Sequence, residues 1–393
     1  KRPILINNWE GTYFDFTEEK LLQMAEKAHQ AGVELFVLDD GWFGKRNNDT
    51  CSLGDWKVNY DKLPSGIDGL AEKINKIGMK FGLWFEPEMI SPDSDLYREH
   101  PDWAIHIDER EGVQSRNQMV LDLSRDEVCE YVINAVSDIL ANANIEYVKW
   151  DMNRQLTDMP RLGYNHEYTL GYYKIMSAIT EKFPNILFEG CSAGGGRFDA
   201  GVLAYMPQIW TSDNSDAIAR LKMQYSTSMC YPVYSISSHV TASPNHQCGR
   251  VTSLKTRADV AYCGTFGYEL DVTKMSDEEF KEIKAQIKFE KRIQDLMCNG
   301  DLYRLINPYE TNYCSWEVIS KDKKHIFVMA CKVLAVAQTK SEKVKLQGLD
   351  VNKRYRNMLT GKVYSSDFLM YHGIRVNYEM KDFSTVVFEF AEI

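Results

Sequence analysis

Residues 147–154 read Tyr-Val-Lys-Trp-Asp-Met-Asn-Arg, a β-prone run that stops abruptly at a carboxylate before a polar loop. A buried parallel strand that ends in this way is how a (β/α)8 barrel presents a reactive group at its C-terminal face. Lys149 lies two residues before Asp151, so strand alternation points both side chains the same way. A cation beside a carboxylate favours the ionised form that a nucleophile needs. An Asp paired with Lys only for solubility is the alternative interpretation.

The same pattern, an apolar run that ends at an acidic residue, recurs along the first three quarters of the chain. Apolar runs end at Asp39 and Asp40, at Glu86 and Glu88, and at Asp213, and amphipathic stretches with caps and terminal glycines separate them. The other predicted strands are 3–8, 185–190, 233–239 and 265–269, and the predicted helices are 18–31, 67–77, 126–142, 169–182, 217–230 and 276–298. Residues 91–125 interrupt the alternation and are predicted to be a loop insertion. Alternating strands and helices predict a TIM barrel over residues 1–299.

A different pattern begins near Asp301. Short runs of alternating apolar and polar residues (313–319, 325–330, 344–347 and 385–390) are separated by turn signals. This pattern predicts a small C-terminal antiparallel β-sandwich domain over residues 300–393.

Composition excludes several classes of function. Of the 393 residues 44% are apolar and 26% are charged, which is typical of a soluble globular enzyme. No apolar run of about 18 residues predicts a membrane span, and the net charge of −10 argues against a nucleic-acid partner. Nine scattered Cys, an odd number, indicate reduced thiols and a cytoplasmic location rather than disulfides or a zinc site. The chain opens Lys-Arg-Pro, which suggests a piece of a longer protein.

Acids and aromatic rings are predicted to share the C-terminal rim of the barrel. Trp9, Trp42, Trp84 and Trp210 lie close in sequence to the acidic strand ends. Sugars bind to such mixtures, because carboxylates accept bonds from hydroxyls while rings cover the apolar C–H face. A hard metal ion is the alternative ligand for many acids, but Lys149, Arg116 and Arg197 would compete with it. We therefore predict no metal and no cofactor.

Glycoside hydrolysis needs one ionised and one protonated carboxyl group. Asp151 beside Lys149 suits the ionised role. Asp213 suits the protonated role, because a second negative charge at Asp216 would raise its pKa. Asp216 is also positioned to cap the helix predicted from Ala217, and the two roles are compatible. The glycine-rich turn at 194–196 lacks the Gly-Lys-Ser/Thr of a phosphate loop and is predicted to let the backbone approach a ligand closely.

Six motifs together resemble bacterial α-galactosidases of glycoside hydrolase family 36. They are Leu38-Asp-Asp-Gly-Trp-Phe43, Gly54-Asp-Trp56, Trp84-Phe-Glu-Pro-Glu88, Lys149-Trp-Asp-Met-Asn-Arg154, Cys191-Ser-Ala-Gly-Gly-Gly-Arg197 and Trp210-Thr-Ser-Asp-Asn214. They extend over nearly all of residues 1–299, and residues 300–393 resemble the C-terminal β domain of that family.

The resemblance implies a retaining mechanism with Asp151 as nucleophile and Asp213 as acid/base. It further implies that Asp39 and Asp40 bind the 4-OH and 6-OH of galactose and that Lys149 and Arg116 hold ring hydroxyls. By the same resemblance, Cys191 with the glycine loop would lie near the 2-OH. Trp9 and Trp42 would pack at the sugar-binding end. The other residues expected to bind substrate are Trp84, Asn153, Gly194, Arg197 and Trp210.

The expected activity is release of terminal α-galactose from raffinose- or melibiose-type oligosaccharides. Retention predicts carboxyl groups about 5–5.5 Å apart, against about 6.5–9.5 Å for inversion. The alternatives are an α-N-acetylgalactosaminidase or a galactosyl transferase on the same scaffold, and a galactose-binding fragment that has lost catalysis. Relatives of this type carry an N-terminal β-sandwich that is not in this chain and commonly form tetramers, so a homo-oligomer is expected.

Overall fold

The computed structural model describes residues 1–110, 112–337, 342–379 and 381–393. Eight of its strands form a closed barrel. The barrel strands, in the order in which they neighbour one another, are β1 (Leu5–Asn7), β2 (Leu35–Leu38), β3 (Lys80–Phe85), β6 (Tyr147–Trp150), β7 (Leu187–Gly190), β8 (Gln208–Trp210), β9 (Ile236–Thr241) and β10 (Thr265–Glu269). Neighbouring strands from β1 to β8 pair in parallel. The predicted TIM barrel is therefore confirmed.

Helices follow most barrel strands, and several of them begin or end at capping residues. They are α1 (Trp9–Thr12), α2 (Glu18–Ala31), α3 (Gly66–Ile77), α4 (Asp95–Glu99), α5 (Asp126–Asn142), α6 (Tyr164–Lys182), α7 (Ala200–Leu203), α8 (Ala217–Thr227), α9 (Leu254–Ala261) and α10 (Asp277–Asn299). Thr17 caps α2 through the N–H of Lys20, and Gly32 ends it in the left-handed conformation. Ser276 and Glu279 form a reciprocal capping box at α10.

Three local predictions were wrong at element boundaries. Helix α6 begins at Tyr164 rather than at 169, because Gly163 turns the chain with a φ of 83° directly before it. Helix α8 ends at Thr227, three residues earlier than predicted. Strand β9 begins at Ile236, because Val233–Ser235 form a short 3-10 turn after Pro232. A small two-stranded antiparallel sheet, which the sequence pattern did not predict, joins β4 (Met89–Ile90), just before the insertion, to β5 (Met119–Val120) inside it.

The barrel strands are buried on both faces, as parallel strands covered by helices must be. Leu5, Leu35, Val37 and Tyr147 pack together at no more than 2% exposure each. Gly82 makes room for the Tyr147 ring, since a Cβ at this glycine would lie 3.0 Å from the Cβ of Tyr147. The nucleophile strand predicted from the sequence is thus a buried strand of the barrel.

The C-terminal sheet has six antiparallel strands in the order β11-β12-β13-β18-β15-β16. They are β11 (Asp301–Ile306), β12 (Tyr313–Ile319), β13 (His325–Lys332), β15 (Arg354–Asn357), β16 (Val363–Ser365) and β18 (Ser384–Glu392). A two-stranded sheet of β14 (Lys343–Val344) and β17 (Ile374–Arg375) accompanies it. Val328, Tyr355 and Phe390 of the large sheet share one core with Val344 and Ile374. The antiparallel domain is confirmed, and its second sheet is much narrower than the first.

The chain divides into two compact units. One comprises Leu5–Asp213 and Glu269–Lys274, and the other comprises Lys1–Ile4, Asn214–Tyr268 and Met275–Ile393. A domain boundary at residue 299 stays a prediction. Within the described part of the chain, no helix is both long and apolar enough to cross a membrane.

Glu290 on α10 makes the stability of the fold depend on pH. Its side chain is 2% exposed, and burial raises its pKa to about 8. The unfolded chain therefore ionises first, so stability falls as the pH rises from the ordinary Glu value to about 8, by up to about 1.4 kcal/mol per pH unit. We expect Glu290→Gln to flatten the dependence of the thermal midpoint on pH between pH 5 and pH 8.

The matched control is Glu26→Gln at an exposed position of α2, which should leave the pH dependence of the thermal midpoint as it is in the unaltered chain. An unaltered slope in Glu290→Gln would contradict the prediction.

Candidate active site

Asp151 stands directly after β6 and is held by several hydrogen-bond donors. Its Oδ1 accepts the N–H of Met152 at 2.8 Å. Its Oδ2 accepts Trp84 Nε1 at 3.2 Å and Asn153 Nδ2 at 2.7 Å. Burial and then the negative charge of Asp151 raise the pKa of the neighbouring Cys191 thiol. Donors that converge on a carboxylate stabilise its charged form and fix its orientation.

Lys149 does not form its ion pair with Asp151, so the sequence-based pairing was wrong. Its Nζ lies 2.8 Å from Asp39 Oδ2 on the neighbouring part of the rim, and it lies 5.9 Å from the centre of the Trp210 ring. Burial alone would lower the pKa of Lys149, but the charges of Asp39 and then Glu269 outweigh it and raise the pKa. Lys149 is therefore a permanently charged group, and the charge of Asp151 acts on it in the same direction.

The two acids after β2 are fixed by different partners. The carboxylate of Asp39 also accepts a hydrogen bond from Asn7 Nδ2 at 2.6 Å, and the backbone N–H of Asp39 donates to Asn8 Oδ1 at 2.7 Å. Asp40 binds Arg46 in a two-point contact of 2.7 and 2.8 Å. Both acids are at most 5% exposed. Their positions are therefore rigid, as hydrogen-bonding groups for a sugar need to be.

Asp213 follows β8 and has the properties of a general acid. The protein atoms around it exclude part of the solvent and raise its pKa to about 6, and the negative charge of Asp151 adds to the rise. Lys149 and Arg116 act in the opposite direction. The sequence-based argument named Asp216 as the neighbour that raises this pKa, whereas the structure gives that role to Asp151. The carboxyl groups of Asp151 and Asp213 thus interact directly through their charges.

Asp216 has the capping role that the sequence predicted. Its Oδ2 accepts the N–H of Ala219 at 2.9 Å in the first turn of α8. The same carboxylate forms an ion pair with Arg250. The carboxylate of Asp216 is therefore engaged by the helix N-terminus and by Arg250.

The glycine-rich turn after β7 supports the segment that carries Asp213. Gly194 has a φ of 86°, and a Cβ there would lie 2.5 Å from Ser212 Cα and 2.9 Å from Asp213 N. A Cβ at Gly195 would lie 2.6 Å from the carbonyl oxygen of Thr211. Only glycine allows the two loops to approach so closely. The close approach seen here is to the Asp213 loop, whereas the close approach to a ligand expected from the sequence stays a prediction.

Two residues expected to touch the sugar are engaged elsewhere. Trp42 is fully buried and donates its Nε1–H to the carbonyl oxygen of Trp84 at 2.9 Å. A side chain with no exposed surface cannot contact a sugar, so the expectation for Trp42 was wrong. Arg197 forms a two-point ion pair of 2.9 and 2.7 Å with the buried Glu88, which favours a role in holding the loop.

The remaining predicted residues lie in the same unit as the two catalytic candidates. Trp9 is half-buried between Tyr13 and Phe14, and Arg116 is exposed but close enough for its charge to lower the pKa of Asp213. In the described residues, no cluster of three or more His, Cys, Asp or Glu side chains could hold a metal ion. The absence of a metal or cofactor stays a prediction.

Sequence reasoning did not identify the partners of three groups that build this site. Asn7 binds Asp39, Arg46 binds Asp40, and Glu86 contacts the segment after Asp151. Asn7 follows the first strand and could have been found from that position. Arg46 lies in a long polar loop, and its partner could not be found without the fold.

A parallel barrel with two interacting carboxyl groups at its C-terminal rim, one held by converging hydrogen-bond donors and one with a raised pKa, is an arrangement typical of a glycoside hydrolase. The profile of the Melibiase family matches residues 1–300, and that of the glycosyl hydrolase family 36 C-terminal domain matches residues 313–390. This chain belongs to glycoside hydrolase family 36.

Known relatives are similar in sequence to this chain over its entire length. Alpha-galactosidase AgaA of Geobacillus stearothermophilus is 51% identical over 401 residues, covering 100% of this chain and 55% of that protein. Alpha-galactosidase Mel36A of Lactobacillus acidophilus is 48% identical, covering 100% of this chain and 54% of that protein. A crystal structure of AgaA superimposes with a TM-score of 0.98 over 100% of this chain and 56% of that one. The chain thus spans just over half the length of these relatives.

A substitution at Gly194 tests the role of the glycine turn. We expect Gly194→Ala to displace Asp213 and to lower kcat on a glycoside substrate about 10- to 100-fold, because small displacements of catalytic groups have effects of this order. The control is Gly163→Ala, since Gly163 has a similar φ of 83° with no atom within 4 Å of the added Cβ.

Both substitutions carry the strain of a positive φ, but only the first creates a clash. Steady-state kinetics and the thermal midpoint of both variants separate the two effects. Equal losses of kcat in both variants would show that the loop contact has no part in catalysis.

Proposed function

We propose that this protein is a retaining α-galactosidase that releases terminal α-linked galactose from oligosaccharides of the raffinose type. The observation that supports this most is the interaction between Asp151, held by converging donors, and Asp213, whose pKa is raised to about 6. The substrate class is supported by a variant of AgaA that was solved in complex with raffinose and is 50% identical to this chain, covering 100% of this chain and 56% of that one with a TM-score of 0.98.

In the first step, a carboxylate oxygen of Asp151 attacks the anomeric carbon of galactose. Asp213 transfers its proton to the glycosidic oxygen while the bond between that oxygen and the anomeric carbon breaks. The products are a free alcohol, a β-linked galactosyl ester on Asp151 and an ionised Asp213. Trp84, Met152 and Asn153 orient Asp151 for the attack through their N–H groups.

In the second step, the ionised Asp213 removes a proton from water as the water oxygen attacks the anomeric carbon. The ester bond breaks, Asp151 leaves as a carboxylate, and α-galactose is released. Asp213 ends the cycle protonated, as it began. Two inversions give net retention, and we predict a carboxyl separation of about 5–5.5 Å in a galactose complex.

The acids after β2 are proposed to recognise the galactose hydroxyls. Asp39 would accept hydrogen bonds while Lys149 donates, since these two groups lie 2.8 Å apart. Asp40, held by Arg46, would accept from a neighbouring hydroxyl. Arg116, Cys191 and Trp210 are proposed to complete the sugar-binding surface. Melibiose as a substrate, a homo-oligomeric state and a cytoplasmic location stay predictions.

Azide separates the roles of the two acids. We expect Asp151→Ala to lower kcat by about 10³-fold or more, as loss of a nucleophile does. Azide should restore turnover of an aryl α-galactoside by attacking from the vacated face, which gives β-galactosyl azide. In Asp213→Ala, azide should intercept the ester and give α-galactosyl azide. NMR of the products assigns the anomer.

The control is Asp138→Ala at an exposed position of α5, which should keep full activity without azide. An α-azide from Asp151→Ala, or unimpaired hydrolysis by this variant, would disprove the proposed mechanism.

The pH profile of kcat/KM should depend on the leaving group. A natural galactoside needs a proton from Asp213, so kcat/KM should fall as the pH rises through about 6, where the pKa of this acid lies. A dinitrophenyl α-galactoside leaves without that proton, and its kcat/KM should not fall over the same range. Parallel profiles for both substrates would contradict the assignment of Asp213 as the acid.

A further inference from the structure

We propose that Glu86 is a positioning residue for Asp151 and acts by holding the backbone of the segment that follows the nucleophile. This inference rests on the proposed role of Asp151 in the hydrolysis of α-galactosides. Glu86 stands directly after β3, the strand that neighbours β6 in the barrel.

The contacts form a short chain from Glu86 to the nucleophile. Glu86 is 1% exposed. Its Oε1 accepts the backbone N–H of Asn153 and Gln118 Nε2 at 3.2 Å. The side-chain amide of the same Asn153 donates to Asp151 Oδ2 at 2.7 Å. A shift of Asn153 would therefore displace a donor from the reacting carboxylate.

The end of β3 holds the nucleophile segment at a second point. The backbone N–H of Asp151 donates to the carbonyl oxygen of Phe85 at 2.7 Å. Residues 85 and 86 thus bind residues 151 and 153 respectively. Two adjacent anchors on a rigid strand fix both the position of Asp151 and the course of the loop after it.

Burial and the neighbouring charges determine the protonation state of Glu86. Burial, followed by the negative charge of Asp151, raises the pKa of Glu86 to about 8, although Arg46 acts against the rise. Arg46 is already bound in a two-point contact to Asp40. Glu86 is therefore mainly protonated at neutral pH.

A protonated Glu and a Gln side chain have the same length and the same hydrogen-bonding pattern. Each offers one carbonyl oxygen as an acceptor, and the second polar atom is a donor. Gln at position 86 should therefore keep the contacts with Asn153 and Gln118. Ala removes the acceptor and leaves the N–H of Asn153 without it.

The kinetic test compares Glu86→Gln with Glu86→Ala on an aryl α-galactoside. We expect Glu86→Ala to lower kcat about 10²-fold, the order of effect that misplacement of a reacting group by 1 Å has. Glu86→Gln should stay within about 3-fold of the unaltered protein. The inhibition constant of galactose should change little in either variant, since Glu86 is not proposed to touch the sugar.

A matched control separates positioning from loss of stability. Glu317 in the C-terminal sheet is also buried, has a pKa raised to about 8 by burial, and accepts the backbone N–H of Gln347 at 2.9 Å. Glu317→Ala should lower the thermal midpoint as Glu86→Ala does, but it should keep kcat. The infrared spectrum of the unaltered protein minus that of Glu86→Gln, in D₂O at neutral pD, should show a protonated carboxyl band that the variant has lost.

Three results would overturn the proposal. They are a loss of kcat in Glu86→Gln as large as in Glu86→Ala, an unchanged kcat in Glu86→Ala, or no loss of a protonated carboxyl band in Glu86→Gln. If Asp151→Ala gives no β-galactosyl azide, the proposed function itself fails, whereas failure of the Glu86 tests leaves the azide result intact.

Discussion

The carboxylate of Asp151, fixed by N–H groups from β3 and from its own loop, is the contact around which the site is arranged. Trp84 reaches it from one strand and Met152 and Asn153 from the following turn. An ionised carboxylate in a poorly solvated place is unfavourable unless donors replace the lost water. The buried aromatic side chains near β3 exclude water, and the converging N–H groups supply the hydrogen bonds that water no longer provides.

The negative charges of the other rim acids are compensated in one of two ways: by a paired cation or by a raised pKa that favours the neutral form. Asp39, Asp40 and Glu88 each have a buried or partly buried cation, namely Lys149, Arg46 and Arg197. Loss of one partner from such a pair destabilises a protein by about 3–5 kcal/mol, because an uncompensated charge stays buried. Glu86 and Asp213 are balanced by a raised pKa instead. The site can therefore hold many carboxyl groups close to Asp151 without an equal number of negative charges.

Backbone geometry sets the distance between the loops. The glycine turn after β7 lies against the segment from Thr211 to Asp213 so closely that a methyl group would not fit at Gly194 or Gly195. Asp213 is thus held by packing of main chain against main chain, while Asp151 is held by hydrogen bonds. The two carboxyl groups follow different strands, and the charge of Asp151 acts on Asp213.

The sequence by itself determined the barrel, the antiparallel C-terminal sheet and the positions of Asp151 and Asp213 at strand ends. These features depend on local periodicity, capping residues and the place where an apolar run meets a charge, all of which can be read within a few residues. Only the tertiary structure decided the partners: Lys149 binds Asp39 rather than Asp151, Asp151 rather than Asp216 raises the pKa of Asp213, Trp42 is buried, and Glu86 contacts the nucleophile loop. Ion pairs and pKa values depend on distances between residues far apart in the chain, and the closure of the barrel sets those distances.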